Sequence, residues 1–170
     1  MPISSPSAVD ANDFQSMPAH SRVWIYQSNR MLTEPEVNAI KDAGDRFVSQ
    51  WAAHGSQLTA SFQVFHRLFL VFFLDEKQAS ATGCSIDSSV GFVRHVMDEL
   101  QIDLLDKLNL AYRDAQGDIA VQRMTDFQDN LKAGTHTADT VVFNNLVGTK
   151  GEFVDKWEVP VKESWHRQLL

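Results

Sequence analysis

The segment LTASFQVFHRLFLVFFL, residues 58–74, decides the fold. From Leu58 to Val64 it alternates apolar and polar or small residues, the period-2 pattern of a strand with one buried face. From Leu68 to Leu74 it is apolar at every position, which predicts a strand covered on both faces. The intervening Phe65-His66-Arg67 contains no Gly, Pro or Asn, so the change of pattern alone predicts a hairpin, and one long bent strand is the alternative.

Further elements flank this pair of strands. Before it, the run from Val23 to Tyr26 is rich in strand-forming residues and predicts a first strand. Thr33-Glu34-Pro35-Glu36 is a capping box with proline in the first turn, and it predicts a helix over about 34–53 with Gly55 as the C-cap residue. After the pair, apolar residues at helical spacing from Ile86 to Leu100 predict a second helix.

The C-terminal half adds more strands and one helix. Leu108 to Tyr112 alternates apolar and polar residues and predicts a strand, with residues 119–122 as its hairpin partner. Thr125-x-x-Gln128 forms a second capping box and predicts a short helix that ends at Gly134. The run from Val141 to Phe143 favours a further strand.

The order of the elements from Val23 onward is strand, helix, strand, strand, helix, strand, which is the ferredoxin-like βαββαβ pattern. We therefore predict the α+β class, with an antiparallel sheet covered by helices on one face and a C-terminal extension. Residues 1–20 are rich in Ser, Pro, Ala and Asp and predict a flexible tail, so that order begins near Arg22. Residues 21–170 are predicted to form one domain, which includes an aromatic C-terminal segment.

The composition narrows the class of protein. A chain of 170 residues with 44% hydrophobic and 22% charged residues suits one globular domain. The formal net charge of −7 argues against nucleic acid or an anionic membrane as a partner. The single cysteine cannot form an internal disulfide, and the first 20 residues lack the features of an export signal, so the predicted compartment is the cytoplasm. The longest apolar run falls far short of the roughly 20 residues that cross a bilayer.

The candidate binding site is the segment from Ala79 to Ser89, which joins the buried strand to the second helix. The first turn of a helix presents unpaired N–H groups and the positive end of the dipole, and both favour an anion. We predict that a small anionic ligand binds here, on Thr82, Gly83, Ser85, Ser88 and Ser89. The alternative is that the hydroxyl groups cap the helix and use those N–H groups themselves.

Cys84 in the same segment is the candidate catalytic residue. The start of a helix favours a thiolate, which would serve as a nucleophile or a redox sensor. Asp87 in the same turn disfavours the thiolate, and the sequence has no second cysteine to resolve an oxidised form. The alternative, which we favour, is a small buried residue that packs beneath the start of the helix. A partner such as His54 or His95 can be supplied only by the fold.

Other chemistry-bearing residues give weaker signals. The six histidines show no H-x-x-x-H spacing, so we predict no metal site, and we predict no cofactor. Trp157 and Trp165 lie on either side of Pro160 among basic residues. They form either an interface for a partner or part of a segment that folds back over its own sheet, and we favour the second interpretation.

Several short stretches carry a resemblance. They are Val23-Trp24-Ile25-Tyr26-Gln27, Gly83-Cys84-Ser85-Ile86-Asp87 with Ser89, Asn144-Asn145-Leu146-Val147 through Trp157-Glu158-Val159-Pro160, and Ser164-Trp165-His166. With them, nearly all of the chain after Ser21 resembles a family of small uncharacterised bacterial proteins, some of which carry the label "ABC transporter ATPase". An ATP-binding cassette needs G-x-x-x-x-G-K-[ST] to hold the phosphates, and no such string occurs in this sequence. The resemblance therefore suggests which proteins are related to this chain, but it implies no activity.

These observations lead to one functional prediction and one alternative. No acid–base pair, triad or phosphate-binding loop is visible in the sequence, so we predict a non-catalytic cytoplasmic domain that binds a small ligand or a protein partner. A homodimer is compatible with this prediction. The alternative is a thiol-dependent enzyme or redox sensor that uses Cys84, and the sequence leaves open whether the protein is an enzyme.

Overall fold

A computed structural model of the protein describes residues 14–77 and 79–170. The described residues form helices and antiparallel sheets, and the α+β class is confirmed. The strands are β1 Arg22–Gln27, β2 Ala52–Ala53, β3 Ser56–Gln57, β4 Thr59–Phe65, β5 Phe69–Asp75, β6 Asn109–Arg113, β7 Ile119–Arg123, β8 Val141–Phe143 and β9 Glu158–Pro160. The α-helices are α1 Glu34–Gln50, α2 Gly83–Leu100, α3 Met124–Ala133 and α4 Lys150–Lys156. Short 3-10 helices span Phe14–Ser16, Val161–Glu163 and Trp165–Leu169.

The first sheet is built on β4 and β5, the hairpin formed by residues 59–75. Its strand order is β1-β5-β4, with all neighbours antiparallel. Residues 69–74 of the central strand β5 have 0% exposure. The prediction of a strand covered on both faces is therefore confirmed, and the strand's continuous apolar sequence follows from its double burial.

The hairpin between β4 and β5 closes without glycine. Three residues, 66–68, separate the paired Phe65 and Phe69, and the Leu68 N–H donates to the Phe65 carbonyl at 3.0 Å. His66 and Arg67 are the central residues of this turn, and each has φ +55°, the left-handed region that a type I′ turn requires. Leu32 holds the turn from the neighbouring loop. Its N–H donates to the Arg67 carbonyl at 2.7 Å, and its own carbonyl accepts from Arg67 Nε at 2.7 Å. The predicted hairpin is therefore confirmed, and the alternative of one long bent strand is wrong.

The ferredoxin-like pattern is present for three strands only. The order β1-β5-β4 is the order that this pattern gives to its first three strands. The strand that would be fourth in the ferredoxin-like pattern is β6. It does not join these three strands but belongs to a second sheet of order β7-β6-β8-β9. Leu110 and Ala111 of β6 are both buried and point to opposite faces of the second sheet, Leu110 into the core with Phe127 and Ala111 into the core shared with the first sheet.

The two sheets and the helices form four layers. Helices α1 and α2 cover one face of the first sheet through a core that includes Ile40, Phe72 and Val93. The second sheet covers the other face, and Phe69 and Phe143 meet there with ring centroids 5.0 Å apart. Helix α3 and the C-terminal 3-10 helices cover the outer face of the second sheet. The free edge of β1 thus lies beside the second sheet.

The helix ends predicted from the sequence agree with the structure at some residues and differ from it at others. The Thr33 capping box is confirmed, since Thr33 Oγ1 accepts from Glu36 N–H at 3.3 Å and Glu36 accepts in return. Gly55 is not the C-cap of α1, which ends at Gln50; it lies in the β2–β3 turn with φ +77°. The capping box predicted at Thr125 is wrong, because α3 begins at Met124 without a side-chain cap. Gly134 is the C-cap of α3, as predicted.

Both ends of the described chain pack on the sheets. Residues 1–13 of the predicted tail lie outside the described residues, whereas residues 14–20 contact the domain. The Phe14 ring lies 5.2 Å from Phe73, and Lys150 Nζ donates to the Met17 carbonyl at 2.6 Å. The packed structure therefore begins earlier than Arg22, because one aromatic and one methionine fill the face of the first sheet. The C-terminal segment folds back as predicted, with β9 paired to β8 and Trp157 buried.

Candidate functional site

A cavity of about 480 Å³ lies between the free edge of β1 and the second sheet. Its volume falls within the range of roughly 300–1,000 Å³ that is typical of small-molecule sites. Five separate parts of the chain form its wall, which consists of residues 23–27, 104–107 with 109–110, Met124, Phe143 with 145–146, and 165–166. Most of these side chains are apolar, and a few polar groups are placed among them.

A chain of side-chain amides closes one end of the cavity. Trp157 Nε1 donates to Asn145 Oδ1 at 2.9 Å, and Asn145 Nδ2 donates to Gln27 Oε1 at 3.1 Å. Gln27 Nε2 in turn donates to the Asn109 carbonyl at 3.0 Å. Because each amide has both a donor and an acceptor partner, the orientation of both is fixed. The network joins β1 of the first sheet to β6 and the β8–α4 loop, and it makes this end of the cavity rigid.

A buried histidine also lines the cavity. His166 is 1% exposed, its ring stacks on Trp165 at 3.9 Å, and its Nδ1 forms a short hydrogen bond with Ser164 Oγ. Burial lowers the pKa of His166 to about 4, so the ring is neutral at physiological pH. Burial also raises the pKa of Tyr26 on the β1 side. The ring nitrogen and the phenol are therefore neutral hydrogen-bonding groups, without charge.

The charged residues on the wall are Asp106 and Lys107. Asp106 Oδ1 accepts from the Leu108 N–H at 2.9 Å and Asp106 Oδ2 accepts from Arg123 at 2.7 Å. The Leu108 N–H, followed by the Arg123 ion pair, holds the pKa of Asp106 below its usual value. Lys107 is exposed and has no ion pair or hydrogen bond within residues 14–77 and 79–170. The uncompensated charge at this cavity is therefore positive, on a protein whose formal net charge is −7.

The rim of the cavity is apolar and exposed. Leu146 is 69% exposed and Leu105 is 37% exposed, and both line the cavity. Exposed apolar side chains that continue the apolar wall of a cavity are a feature of ligand-binding grooves. The rim thus extends the apolar wall outward.

The predicted binding residues lie elsewhere, around the start of α2. Thr82, Gly83, Cys84, Ser85 and Ser88 line a more open depression together with residues 52–54 of the β2–β3 hairpin. Ser89 is buried and does not line it. The structure therefore brings most of the predicted site together, and we call this concavity the α2 depression.

The hydroxyl groups of this segment are used by the helix itself. Thr82 Oγ1 accepts from the Ser85 N–H at 3.2 Å, and Ser85 Oγ accepts from the Thr82 N–H at 2.7 Å, which is a reciprocal capping box. Ser88 Oγ donates to the Cys84 carbonyl at 3.0 Å and Ser89 Oγ donates to the Ile86 carbonyl at 2.6 Å. These contacts are those of the capping alternative, and they occupy the Ser85 N–H and the hydroxyl groups that were predicted to hold an anion.

Cys84 is exposed at the start of α2. The interpretation that it is buried beneath the helix is therefore wrong; the buried residues of this turn are Ser85 and Ser89. His54 lines the same depression, but no hydrogen bond joins Cys84 to a histidine in the described part of the chain. Residues 14–77 and 79–170 contain no group of three or more His, Cys, Asp or Glu side chains that could hold a metal ion.

Comparisons with protein-family models, with curated proteins and with solved structures give no match. The helices described in the structure are each too short or too polar to span a membrane. The functional argument therefore rests on the geometry of the two concavities.

Proposed function

We propose that the protein binds a small, mainly apolar ligand with an anionic group in the cavity beside β1. The observation that carries the proposal is the cavity itself, which combines an apolar wall with a few fixed polar groups and an unpaired lysine. The apolar part of the ligand would lie against the wall and the exposed rim. Its anionic group would face Lys107, because no other side chain of the wall brings an uncompensated positive charge.

Neutral groups would orient the ligand inside the cavity. His166 stays uncharged down to about pH 4, so it can exchange a hydrogen bond with the ligand without adding charge. The amide network through Asn145 keeps this end of the wall in place before the ligand arrives, which reduces the ordering cost of binding. A non-catalytic role in the cytoplasm, as predicted from the sequence, belongs to this proposal.

Fluorescence titration with 1-anilinonaphthalene-8-sulfonate, followed by displacement with decanoate, tests the proposal. Both probes combine an apolar body with one anionic group. We expect saturable binding at one site that is lost when Leu146→Trp blocks the rim. The matched control Ser88→Trp fills the α2 depression and should leave binding unchanged. Equal loss in both variants, or no saturable binding to the wild type, would contradict the proposal.

A charge substitution tests the role assigned to the lysine. Lys107 is exposed and free of ion pairs in the described residues, so Lys107→Gln should leave stability within about 0.5 kcal/mol. The same variant should weaken decanoate binding and reduce its salt dependence, because the removed charge lies at the cavity. Unchanged affinity would place the anionic group elsewhere.

A second candidate function is supported by the exposure of Cys84. An accessible thiol beside His54 in the α2 depression is the arrangement that a thiol-dependent enzyme or redox sensor would need. Reversible loss of a measurable property, such as ligand binding, on mild oxidation of the wild type but not of Cys84→Ala would support this candidate. Insensitivity of both proteins to oxidation would remove it.

A further inference from the structure

The edge of β1 that faces the cavity carries unpaired backbone groups. The Val23 N–H points away from β5 and donates to the Gly148 carbonyl at 3.0 Å, while the Ser28 N–H points the other way, to the Leu68 carbonyl at 2.8 Å. Backbone groups of successive strand residues face opposite sides, so the N–H and C=O of Ile25 point to the same side as those of Val23. Ile25 lines the cavity, and its backbone has no partner on this side among the described residues.

The cavity occupies the position of a missing strand. The ferredoxin-like order would place β6 against this edge of β1, but β6 pairs with β7 and β8 in the second sheet instead. The space left beside β1 is short, because Gly148 pairs with Val23 at one end and the Gln27 side chain bonds to Asn109 at the other. A long strand cannot run through a gap that is closed at both ends, but the end of a chain can enter it.

The surroundings of the gap favour a particular kind of chain end. Leu105 and Leu146 extend an apolar surface outward from the cavity, which suits apolar side chains on an entering strand. Lys107 supplies a positive charge without a partner in the described chain, and that charge attracts a carboxylate and repels an amino terminus. The chemistry therefore matches the C-terminal end of an apolar peptide.

We propose, on the basis of the function inferred above, that the ligand is the C-terminal end of an apolar peptide that adds to β1 as an extended strand. The Ile25 N–H would donate to a peptide carbonyl, and the Ile25 carbonyl would accept from a peptide N–H. The terminal carboxylate of the peptide would lie against Lys107. Backbone pairing supplies affinity without reading sequence, and the apolar rim selects the side chains.

A comparison of peptides with a simple amphiphile tests this inference. The probes are a pool of N-acetylated tetrapeptides of Val, Leu, Ile and Thr with a free carboxylate, the same pool with N-methylated amides, the same pool as C-terminal amides, and decanoate. We expect the first pool to bind at least tenfold more tightly than the N-methylated pool, which cannot donate to a strand edge. The C-terminal amide pool should also bind more weakly, and Lys107→Gln should abolish that difference.

The outcomes separate the two proposals. If decanoate occupies the cavity but the free-acid peptides bind no more tightly than their N-methylated analogues, the strand-addition inference is overturned and the proposed ligand-binding function stands. If neither decanoate nor any peptide pool binds, both proposals are overturned. Tight, amide-dependent peptide binding supports both.

Amide hydrogen exchange at one residue gives a direct readout. In the free protein the Ile25 N–H should exchange much faster than those of Trp24 and Tyr26, which face β5. The peptide pool should slow exchange at Ile25, whereas decanoate should not. Equal protection of the three amides in the free protein would contradict the open edge.

A variant pair completes the test. Ile25→Pro removes the outward N–H and leaves the β5 ladder intact, which is the position where an edge strand tolerates proline. Ile25→Ala is the matched control, because it keeps the N–H and also loses the large side chain. We expect peptide binding to be lost in the first and retained in the second, with folding verified by thermal melting. If Ile25→Pro does not fold, the N-methylated pool decides the question on the wild-type protein.

Discussion

The cavity beside β1 and the α2 depression differ in how their polar groups are used. In the depression the hydroxyl groups of Thr82, Ser85 and Ser88 bond within their own helix turn. In the cavity the polar side chains bond across the molecule, as when Asn145 joins Trp157 to Gln27. The first arrangement caps one helix, whereas the second holds the wall of the cavity in a fixed position to which a ligand can bind.

This difference shows that a concentration of hydroxyl residues is weak evidence for a binding site. Short polar side chains at a helix start compete for the same N–H groups that an anion would use. At the cavity, by contrast, the backbone of Ile25 and the ammonium of Lys107 have no partner among residues 14–77 and 79–170, and neither group stands out in the sequence.

The largest effect is expected at Trp157, which supports the closed end of the cavity. Trp157 is buried and stacks on Phe153 at 4.5 Å. Trp157→Ala should lower the free energy of unfolding by about 3–5 kcal/mol, because it leaves a large void. Trp157→Phe keeps a ring but removes the donor to Asn145, and it should cost about 1 kcal/mol. Urea denaturation measures both, and a loss below 1 kcal/mol in the alanine variant would show that the wall does not depend on this residue.

The next effect is an acid-dependent loss of stability at His166. Unfolded histidine titrates near pH 6.5, whereas His166 in the fold stays neutral down to about pH 4. Between pH 6.5 and pH 4 the unfolded chain binds a proton at this histidine that the folded protein does not bind. The free energy of unfolding therefore falls as the pH falls from 6.5 to 4, by up to about 3 kcal/mol. Above pH 6.5 His166 does not contribute to the change of the free energy of unfolding with pH.

Two variants isolate that slope in urea denaturation measured as a function of pH. The pKa values of His66 and His136 are also lowered, mainly by burial, so these residues contribute with the same sign. His166→Gln should flatten the pH 4–6.5 region relative to the wild type. Ser88→Gln, which alters an exposed residue of the α2 depression and adds no titratable group, should leave the slope unchanged. An unaltered slope in His166→Gln would show that the cavity histidine is not held neutral by its burial.

A smaller effect is expected from the capping residue of α2. Thr82→Ala removes the acceptor for the Ser85 N–H and should cost about 1 kcal/mol, seen as a drop of a few degrees in the thermal midpoint. Thr82→Asn supplies another good cap and should recover most of that loss. If both variants keep the wild-type midpoint but weaken binding of an anion such as decanoate, the residue serves a ligand and not the helix.

The smallest effect on stability is expected at Cys84. Because the residue is exposed, Cys84→Ala should change the free energy of unfolding by less than about 0.5 kcal/mol. The native thiol should react readily with 5,5′-dithiobis(2-nitrobenzoic acid), and saturation of the cavity with decanoate should not slow the reaction. Protection by decanoate would mean that ligand binding reaches the α2 depression and would remove the distinction between the two sites.

Much of the fold could be predicted from the sequence, because its signals are local. The period-2 and continuous apolar patterns of residues 58–74 predicted β4 and β5, and the Thr33 capping box predicted the start of α1. The pairing of β6 could not be predicted in the same way. Its alternating pattern fits either sheet, because period-2 alternation predicts a strand but does not specify the strands beside it.

The candidate site was less predictable than the fold. The α2 depression came from one continuous segment, whereas the cavity joins Gln27, Lys107, Asn145 and His166 across nearly the whole chain. No spacing rule connects residues at such separations. The exposed leucines of the rim are the one local sign, and an exposed leucine in a sequence looks the same as a buried one until the fold is known.

The most direct test is a map of amide chemical shifts in ¹⁵N-labelled protein titrated with decanoate. Saturable shifts are expected at Gln27, Lys107, Asn145 and His166, with the amides of residues 82–88 unchanged. Saturable shifts confined to residues 82–88, or no saturable shifts at all, would contradict the assignment of the cavity beside β1 as the binding site.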